Sequence, residues 1–307
     1  MEQIKIGGLW PAMITPIDRA GNPAVREIEK MVQLFLKQEL DGLYILGSTG
    51  QGFLLTEAQR MKVSSIVLEI VDGKIPVIAQ VGALNTNESV RLAKAAEKAG
   101  AWGVSSVGPI YYEVGLERYL EHYRLVGSSI NIPFFPYHIG NHSIFQGSAH
   151  TYIKSILALP NIMGMKLTTQ NLYEISLIHT LSEGRLILFS GADELLCQAA
   201  LCGTVGAIGS YFNLWGEECK HVREEFVKGN VELGTRFMLA FQEIIFKTVP
   251  NVWSFLRKAM LMRYDIDIGI PNPPMGLKHA KWKEQEVQAI LDNISKFARV
   301  GAQSNID

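Results

Sequence analysis

Short apolar runs of strand length alternate with longer amphipathic stretches from Gly8 onward, and this alternation constrains the fold more than any other feature. Strands that alternate with helix-length segments are typical of parallel strands joined by crossover helices. Eight repeats favour a closed barrel over a doubly wound open sheet, because Ile14-Thr15-Pro16 follows the first run where a nucleotide-binding open sheet carries a glycine fingerprint. The eight predicted strands are Leu9 to Ile14, Gly42 to Leu46, Pro76 to Gln80, Gly103 to Val107, Pro133 to Tyr137, Ile162 to Lys166, Leu186 to Ser190 and Val205 to Gly209.

The alternation stops after the eighth run, and residues 213–299 have a helical pattern that Pro271-Asn272-Pro273-Pro274 interrupts. Helices are expected at Asn230 to Thr248, Val252 to Tyr264 and Lys283 to Val300. A chain of 307 residues accommodates one barrel of ~250 residues and an appendage. We therefore predict an α/β fold, with a (β/α)8 TIM barrel over residues 1–225 and a C-terminal helical extension over residues 226–307.

Charge and composition exclude several kinds of partner. The formal net charge is −1 and no basic run is present, so neither nucleic acid nor an anionic membrane is expected to bind. No apolar run approaches the ~18 residues of a membrane span, and MEQIKIGGLW lacks the pattern of a signal peptide, which predicts a cytoplasmic protein. The three cysteines and seven histidines show no metal-ligand spacing, so no metal is expected.

A lysine, Lys166, closes the sixth apolar run, which is an unusual place for an amine. Lysine is rarely buried without a partner, and a desolvated ammonium releases its proton, which leaves a nucleophilic amine that can form a Schiff base. The alternative is that Lys166 ends the strand with its ammonium in solvent, as surface lysines do. The ends of the other strands bear on this choice, because the catalytic groups of such barrels project from there.

Glycines and hydroxyls follow the second run, in Gly47-Ser48-Thr49-Gly50-Gln51-Gly52. Two hydroxyls and successive backbone N–H groups in a tight turn suit a small carboxylate, although glycine-rich turns are also ordinary loops. Tyr111 follows the fourth run and Tyr137 ends the fifth. A phenol at the mouth of a barrel can relay a proton to a substrate hydroxyl, or it can pack as an aromatic with its hydroxyl in water.

Acidic and small residues follow the last two runs. Gly191, Asp193 and Glu194 come after the seventh run, and Ser210 comes after the eighth. Acidic residues at a helix N-terminus are favoured by the helix dipole in any protein. Asp193 and Glu194 are therefore either capping residues or, if they face inward, ligands for a polyhydroxylated substrate.

Together these positions resemble the family of pyruvate-dependent Schiff-base aldolases that contains N-acetylneuraminate lyase and dihydrodipicolinate synthase. The similarity extends nearly from end to end. Gly47-Ser48-Thr49-Gly50 matches the family's pyruvate-carboxylate motif, Tyr137 its catalytic tyrosine and Lys166 its imine-forming lysine. The resemblance also implies a homotetramer in which Tyr111 enters a neighbouring subunit's site.

The lyase branch of the family is the most similar. It uses positions matching Thr168, Gly191, Asp193, Glu194 and Ser210 to hold the hydroxyls of a sugar, and the resemblance implies that Ser48 and Thr49 hold the substrate carboxylate. The segments that favour this branch are Asp41-Gly42-Leu43-Tyr44, Pro109-Ile110-Tyr111-Tyr112 and His122-Tyr123-Arg124.

The chain departs from the family pattern at three places. His142 lies in the region where the synthase branch has an arginine that binds a second carboxylate, which argues against dihydrodipicolinate synthesis. Tyr137-His138-Ile139-Gly140 replaces the usual Tyr-Asn-x-Pro, and Gln51 replaces the usual glutamate. The loop after the fifth strand faces substrate, so these departures leave the aldehyde partner open.

The expected function is cleavage of a 2-keto-3-deoxy sugar acid, with N-acetylneuraminate as first choice, to pyruvate and an aldehyde. The only prosthetic chemistry expected is the covalent Schiff base on Lys166, with no separate cofactor. The alternatives are a 2-keto-3-deoxygluconate-type aldolase or dehydratase, a dihydrodipicolinate synthase-like activity, or an inactive sensor that binds a keto acid. The presence of both Tyr137 and Lys166 argues against the sensor.

Overall fold

The computed structural model of the protein describes residues 6–112, 115–139, 148–276 and 280–299. Eight parallel strands form one sheet, in which strands that are consecutive in the sequence lie side by side and the eighth strand pairs with the first. The first and second strands close the ring, since Ala12 bridges to Tyr44 and the Met13 amide donates to the Tyr44 carbonyl at 2.8 Å. The strands are β1 (Gly8–Pro11), β2 (Leu43–Ile45), β3 (Val77–Gln80), β4 (Gly103–Val107), β5 (Phe134–Ile139), β6 (Gly164–Thr168), β7 (Ile187–Ser190) and β8 (Gly206–Gly209).

α-Helices connect most of these strands on the outside of the barrel, and further helices follow β8. Two short 3₁₀ turns, Asp193–Leu195 and Gln198–Cys202, occupy the connection between β7 and β8, where an α-helix is expected. The helices are α1 (Val25–Lys37), α2 (Glu57–Val71), α3 (Thr86–Lys98), α4 (Leu116–Gly127), α5 (Ala149–Leu157), α6 (Leu172–Leu181), α7 (Phe212–Val227), α8 (Val231–Thr248), α9 (Val252–Tyr264) and α10 (Glu284–Ala298). The predicted TIM barrel with C-terminal helices is confirmed.

The barrel interior is a packed core below an open mouth. Side chains alternate between the two faces of each strand, so Tyr44 points into the barrel while Leu43 and Ile45 pack under the helices. The interior aromatic rings contact one another, as Trp10 and Phe189 do with ring centroids 5.1 Å apart. Seven buried residues form this interior cluster: Trp10, Ala12, Tyr44, Ile78, Phe135, Phe189 and Ile208.

The C-terminal helices pack on α7. The ring of Trp215 in α7 lies 6.0 Å from that of Phe241 in α8 and 6.0 Å from that of Phe255 in α9. The Tyr211 and Thr248 hydroxyls, 2.6 Å apart, tie the start of α7 to the end of α8. The division of the chain at residue 225 remains a prediction, and α7 runs to Val227. None of the helices in the described ranges is long and apolar enough to cross a bilayer.

Helix ends follow the chemistry of the sequence. Thr56 and Gln59, which have the sequence spacing of a capping box, form one at the start of α2. Gly100 follows α3 with φ +94°, a backbone conformation that favours glycine.

Strands β5 and β6 each extend two residues beyond their predicted ends, because the ladder between them continues to the pair Ile139 and Thr168. Lys166 therefore lies in the middle of its strand, not at its end.

Candidate active site

Lys166 is buried at the mouth of the barrel, with 4% of its surface exposed. In β6, Met165 and Leu167 pack in the outer core while Lys166 points inward. Its Nζ lies 4.1 Å from the ring centroid of Tyr44 and 4.3 Å from that of Tyr137. Burial lowers the pKa of the Lys166 amine, and interactions with Tyr137 and the charge of Asp193 oppose that change. The amine is buried, as expected. The alternative, an ammonium in solvent at the end of the strand, does not fit this burial.

Tyr137 lies beside Lys166 because β5 and β6 pair these two residues directly. Its hydroxyl is 3.2 Å from the Thr168 Oγ1, so phenol, hydroxyl and amine form one cluster. Gly191 leaves room for them, since a Cβ at that position would lie 2.0 Å from the Thr168 Oγ1 and 3.1 Å from the Lys166 Cε. Three of the predicted site residues are thus brought together around the amine.

The glycine turn after β2 is held in place from β1 and β8. The Thr15 hydroxyl donates to the Gly50 carbonyl at 2.7 Å. The Thr49 and Ser210 hydroxyl oxygens are 2.6 Å apart, which joins this turn to the end of β8. Ser48 is exposed on the same turn. The structure therefore brings Thr49 and Ser210 together, two residues that the sequence separates widely.

Asp193 is a buried carboxylic acid with one satisfied oxygen. Its Oδ2 accepts hydrogen bonds from the Ser210 amide at 3.0 Å and the Tyr211 amide at 3.4 Å. Its Oδ1 is buried and has no hydrogen-bond partner within the part of the chain that the structure describes. Burial raises the pKa of Asp193 to about 7, while the two backbone hydrogen bonds oppose the rise.

Glu194 is only partly buried, and two glutamines contact it. Its Oε1 accepts from the Gln170 Nε2 at 3.2 Å. Its backbone carbonyl accepts from the Gln242 Nε2 of α8 at 2.7 Å, which links the site to the C-terminal helices. Asp193 and Glu194 begin a single 3₁₀ turn, where an α-helix is expected. The capping of a helix N-terminus therefore does not explain why both residues are acidic.

Tyr111 stands apart from this cluster. It is 79% exposed, and its ring packs edge-on against Tyr112 at 5.1 Å. Gln51 is buried and bridges two segments, since its Nε2 donates to the Thr15 carbonyl at 3.3 Å and its Oε1 accepts from the Asn272 amide at 2.8 Å. Gly140 and His142 lie outside the described residues, so their predicted influence stays a prediction.

Tyr44 is the residue at this site to which our sequence reasoning assigned no role. It contacts the Lys166 amine with its ring and donates its hydroxyl to the Ser105 Oγ at 3.1 Å. The available signal was the period of β2, because a tyrosine between Leu43 and Ile45 faces the barrel interior if those two face the helices.

A buried amine with a lowered pKa can attack a carbonyl carbon. The neighbouring phenol and the hydroxyls at two strand ends can stabilise the charge that results. Barrel and site together define a class I aldolase or lyase. The chain belongs to the dihydrodipicolinate synthetase family, whose model matches residues 5–294.

Known proteins agree with this assignment. The chain is 34% identical over 227 residues to an N-acetylneuraminate lyase of Citrobacter koseri, an alignment that covers 73% of this chain and 75% of the relative. It is 31% identical over 239 residues to one of Escherichia coli, covering 78% and 80%. The fold is similar to that of a Ruminococcus gnavus sialic acid aldolase with a TM-score of 0.87 at 22% identity, covering 95% of this chain and 97% of that one.

Proposed function

We propose that this enzyme cleaves a 2-keto-3-deoxy sugar acid, with N-acetylneuraminate as the first candidate, to pyruvate and an aldehyde sugar through a Schiff base on Lys166. One observation carries the proposal: the Lys166 amine is buried between the rings of Tyr44 and Tyr137 and its pKa is lowered. Because burial shifts such an amine toward its neutral form, it is more nucleophilic than a solvated lysine amine.

In the proposed cycle, the Lys166 amine attacks the C2 ketone and water leaves, which produces a protonated imine. Tyr137 gives its phenolic proton to the departing water as the imine forms, and the resulting phenolate takes the proton of the C4 hydroxyl. Thr168, 3.2 Å from the Tyr137 hydroxyl, orients the phenol for these transfers. The C3–C4 bond breaks, its electrons move toward the imine nitrogen, and the aldehyde leaves. Protonation of the enamine at C3 and hydrolysis release pyruvate. The protonated imine is the electron sink, so the cycle needs no metal.

The two halves of the substrate have separate binding groups in this proposal. Ser48 and Thr49 bind the carboxylate with their hydroxyls at the glycine turn. The hydroxyls of the sugar bind on the side of Asp193, which adjoins the turn through Ser210 and Thr49 and has a buried carboxylate oxygen with no partner among the described residues. A buried acceptor of this kind favours a ligand that brings hydroxyl donors. Thr168, Gly191, Glu194 and Ser210 complete this side.

A 2-keto-3-deoxygluconate-type aldolase or dehydratase is the second candidate. Gln51 supports it, because the amide replaces the family's glutamate and ties the carboxylate turn to Thr15 and Asn272. Because Gln51 holds the carboxylate turn by contacts of its own, this difference from the family is compatible with a different substrate. The two candidates share the imine and differ in the sugar.

A homotetramer is part of the proposal, with Tyr111 completing a neighbouring subunit's site. Two groups of exposed apolar side chains support it. One is on the loops after β3 and β4: Leu84, Ile110, Tyr111 and Tyr112. The other is on α6, the 3₁₀ turn before β8 and α8: Tyr173, Leu201, Leu239 and Phe246. Two different patches on one subunit are what a tetramer with two kinds of two-fold interface requires.

Subunit mixing tests this assembly. Inactive Lys166→Met and Tyr111→Ala variants, unfolded together and refolded as mixed oligomers, should regain activity, because some sites then combine an intact lysine with an intact tyrosine. Mixtures that stay inactive although mixed oligomers form would refute the sharing of Tyr111. A cytoplasmic location belongs to the same proposal, and the three free cysteines are in keeping with it.

Trapping tests the Schiff base itself. The enzyme is treated with pyruvate and sodium borohydride, and peptide mass spectrometry locates the adduct. We expect a single modified lysine, Lys166. An adduct on another lysine, or none while the protein is folded, refutes the mechanism. A panel of keto acids read out by pyruvate release then identifies the substrate, with dihydrodipicolinate synthesis as one assay of the panel.

A further inference from the structure

The interior of the barrel below Lys166 contains a second tyrosine whose environment differs from that of Tyr137. Tyr44 is fully buried, and its hydroxyl donates to the Ser105 Oγ at 3.1 Å. The Tyr137 hydroxyl instead reaches Thr168 at the mouth. The two rings are nearly perpendicular, at 80° with centroids 6.1 Å apart, and the Lys166 amine lies over both.

Tyr44 is badly placed for proton transfer. Its hydroxyl is committed to Ser105, and burial raises the pKa of the phenol well above its ordinary value of 10.0. The phenol therefore stays protonated at neutral pH. What Tyr44 presents to Lys166 is its ring face, at 4.1 Å from the nitrogen, well inside the ~6 Å over which a cation and a ring attract each other.

We infer that the face of Tyr44 stabilises the positive charge of the protonated imine, and so acts as a third functional side chain beside Lys166 and Tyr137. The inference rests on the proposed Schiff base. When the neutral amine attacks a C2 ketone, one proton is taken up, one water leaves, and the nitrogen and C2 share one positive charge. That charge arises where the two rings meet, in a site that water hardly reaches.

Burial and the ring face act differently on the two cations that Lys166 can form. The compact ammonium loses strong hydration on burial, which lowers the pKa of the amine. The imine cation is larger and more delocalised, so it loses less hydration and keeps the attraction of the ring. The pocket therefore favours the neutral amine before attack and the cation after it. The hydrogen bond to Ser105 is made at the edge of the Tyr44 ring and leaves the ring face free for Lys166.

The experiment varies the charge on the ring face while its shape stays nearly constant. Phenylalanine and phenylalanines with one, two or three ring fluorines replace Tyr44, and rapid borohydride quenching over a range of pyruvate concentrations measures the equilibrium constant for imine formation. Fluorine withdraws electron density from the face. We expect Tyr44→Phe to stay within a few-fold of the wild type, and successive fluorines to weaken imine formation progressively, by ~3- to 30-fold over the series.

The matched control is the same series at Phe135, a buried ring of the interior cluster that packs against Trp102 and Phe189. Fluorination there should leave the imine constant unchanged. A flat series at position 44, or an equal decline at position 135, overturns the inference. Tyr44→Leu, which removes the ring, should weaken imine formation at least as much as full fluorination, and an unchanged constant in that variant also refutes the role.

The proposed function and the role of Tyr44 can be refuted by different results. If the wild-type enzyme forms no Lys166 adduct with pyruvate, both the Schiff base and the role of Tyr44 are wrong. If the wild type is trapped on Lys166 and the series at position 44 is flat, the Schiff base stands and the role of Tyr44 alone is refuted.

Discussion

Lys166 and His122 are both buried basic side chains of the barrel, and the comparison shows which of them can do chemistry. Burial lowers the pKa of both, to about 4 for His122. His122, however, has a hydroxyl partner for each ring nitrogen: the Thr86 Oγ1 lies 2.9 Å from Nδ1 and the Ser106 Oγ lies 3.0 Å from Nε2. Lys166 faces two aromatic rings instead.

Strand β4 contributes a serine hydroxyl to the surroundings of both Lys166 and His122. Ser105 and Ser106 are neighbours in β4, and the alternation of side chains sends Ser105 into the barrel toward Tyr44 and Ser106 outward toward His122. The outer hydrogen bonds, from His122 to Thr86 and Ser106, give both ring nitrogens a partner and hold α3 and α4 on the sheet. The inner hydrogen bond, from Tyr44 to Ser105, lies beside the Lys166 amine. A lowered pKa alone therefore does not identify a functional residue here, whereas the position of the amine, over two rings and beside the Tyr137 phenol, does.

The strongest test of this contrast is Lys166→Met, which keeps the length of the side chain and removes the amine. Turnover should fall by ~10⁴-fold or more, because only binding and orientation remain when a nucleophile is lost. Stability should be unchanged or higher, since a desolvated amine has been replaced by an apolar group. Pyruvate release measures the first effect and thermal unfolding the second. Substantial residual turnover in this variant would show that Lys166 is not the nucleophile.

Tyr137→Phe should produce the next largest effect. It keeps the ring beside Lys166 and removes the hydroxyl next to Thr168, so imine formation with pyruvate should persist while turnover falls by ~10²-fold or more. Tyr44→Phe is the matched control, with the hydroxyl removed from the other ring over the same amine. Equal losses in the two variants would mean that the phenols do not have separate roles.

Much of the fold was predictable because it depends on local patterns. Eight apolar runs, the Thr56 capping box and Gly100 at the end of α3 each act within a few residues of the chain. The extra two residues of β6 were missed, because the pairing of Thr168 with Ile139 depends on the neighbouring strand. The connection before β8 was also misjudged, since two 3₁₀ turns replace the expected helix.

The candidate site was predictable in its residue types and not in its contacts. Lys166 and Tyr137 stand out as unusual side chains at strand positions. The 2.6 Å contact of Thr49 with Ser210 and the role of Ser105 under Tyr44 arise only when the sheet closes. Tyr111 is a different case: its predicted partner is another subunit, so the single chain leaves it exposed.

His122 predicts a pH dependence of stability rather than of chemistry. Its pKa falls from the ordinary 6.5 to about 4 in the folded protein. Below pH 6.5 the unfolded chain binds a proton that the folded protein does not accept until about pH 4, so the free energy of unfolding decreases as the pH falls through this window. The loss amounts to ~3 kcal/mol at about 1.4 kcal/mol for each pH unit.

Urea unfolding at several pH values measures this loss, with His122→Gln as the non-titrating comparison. The variant should be less stable than the wild type at pH 7, and the difference should shrink as the medium becomes acidic. Two curves that stay parallel from pH 6.5 to 4 would remove His122 as the source.

The smallest expected effect concerns the sugar side of the site, which contains the acidic pair Asp193 and Glu194. Asp193 has two backbone donors on one oxygen, while the side-chain contact of Glu194 is with Gln170, an exposed residue that a ligand can displace. A site built for hydroxyl donors loses ~1–3 kcal/mol for each acceptor that a shorter substrate leaves unpaired. N-acetylneuraminate should therefore be cleaved far better than shorter keto acids.

Glu194→Ala should reduce this preference by ~10-fold, since one charged acceptor is removed, while imine formation with pyruvate is unaffected. Gln170→Ala is the milder control, because it frees the Glu194 carboxylate without removing it. The ratio of kcat/KM for the long and short substrates measures the effect. If N-acetylneuraminate is not turned over and a six-carbon 2-keto-3-deoxy acid is, the second candidate function is correct. The segment from His138 to His142 would then be the first to exchange with that of a lyase, because it begins directly after Tyr137, within the last residues of β5.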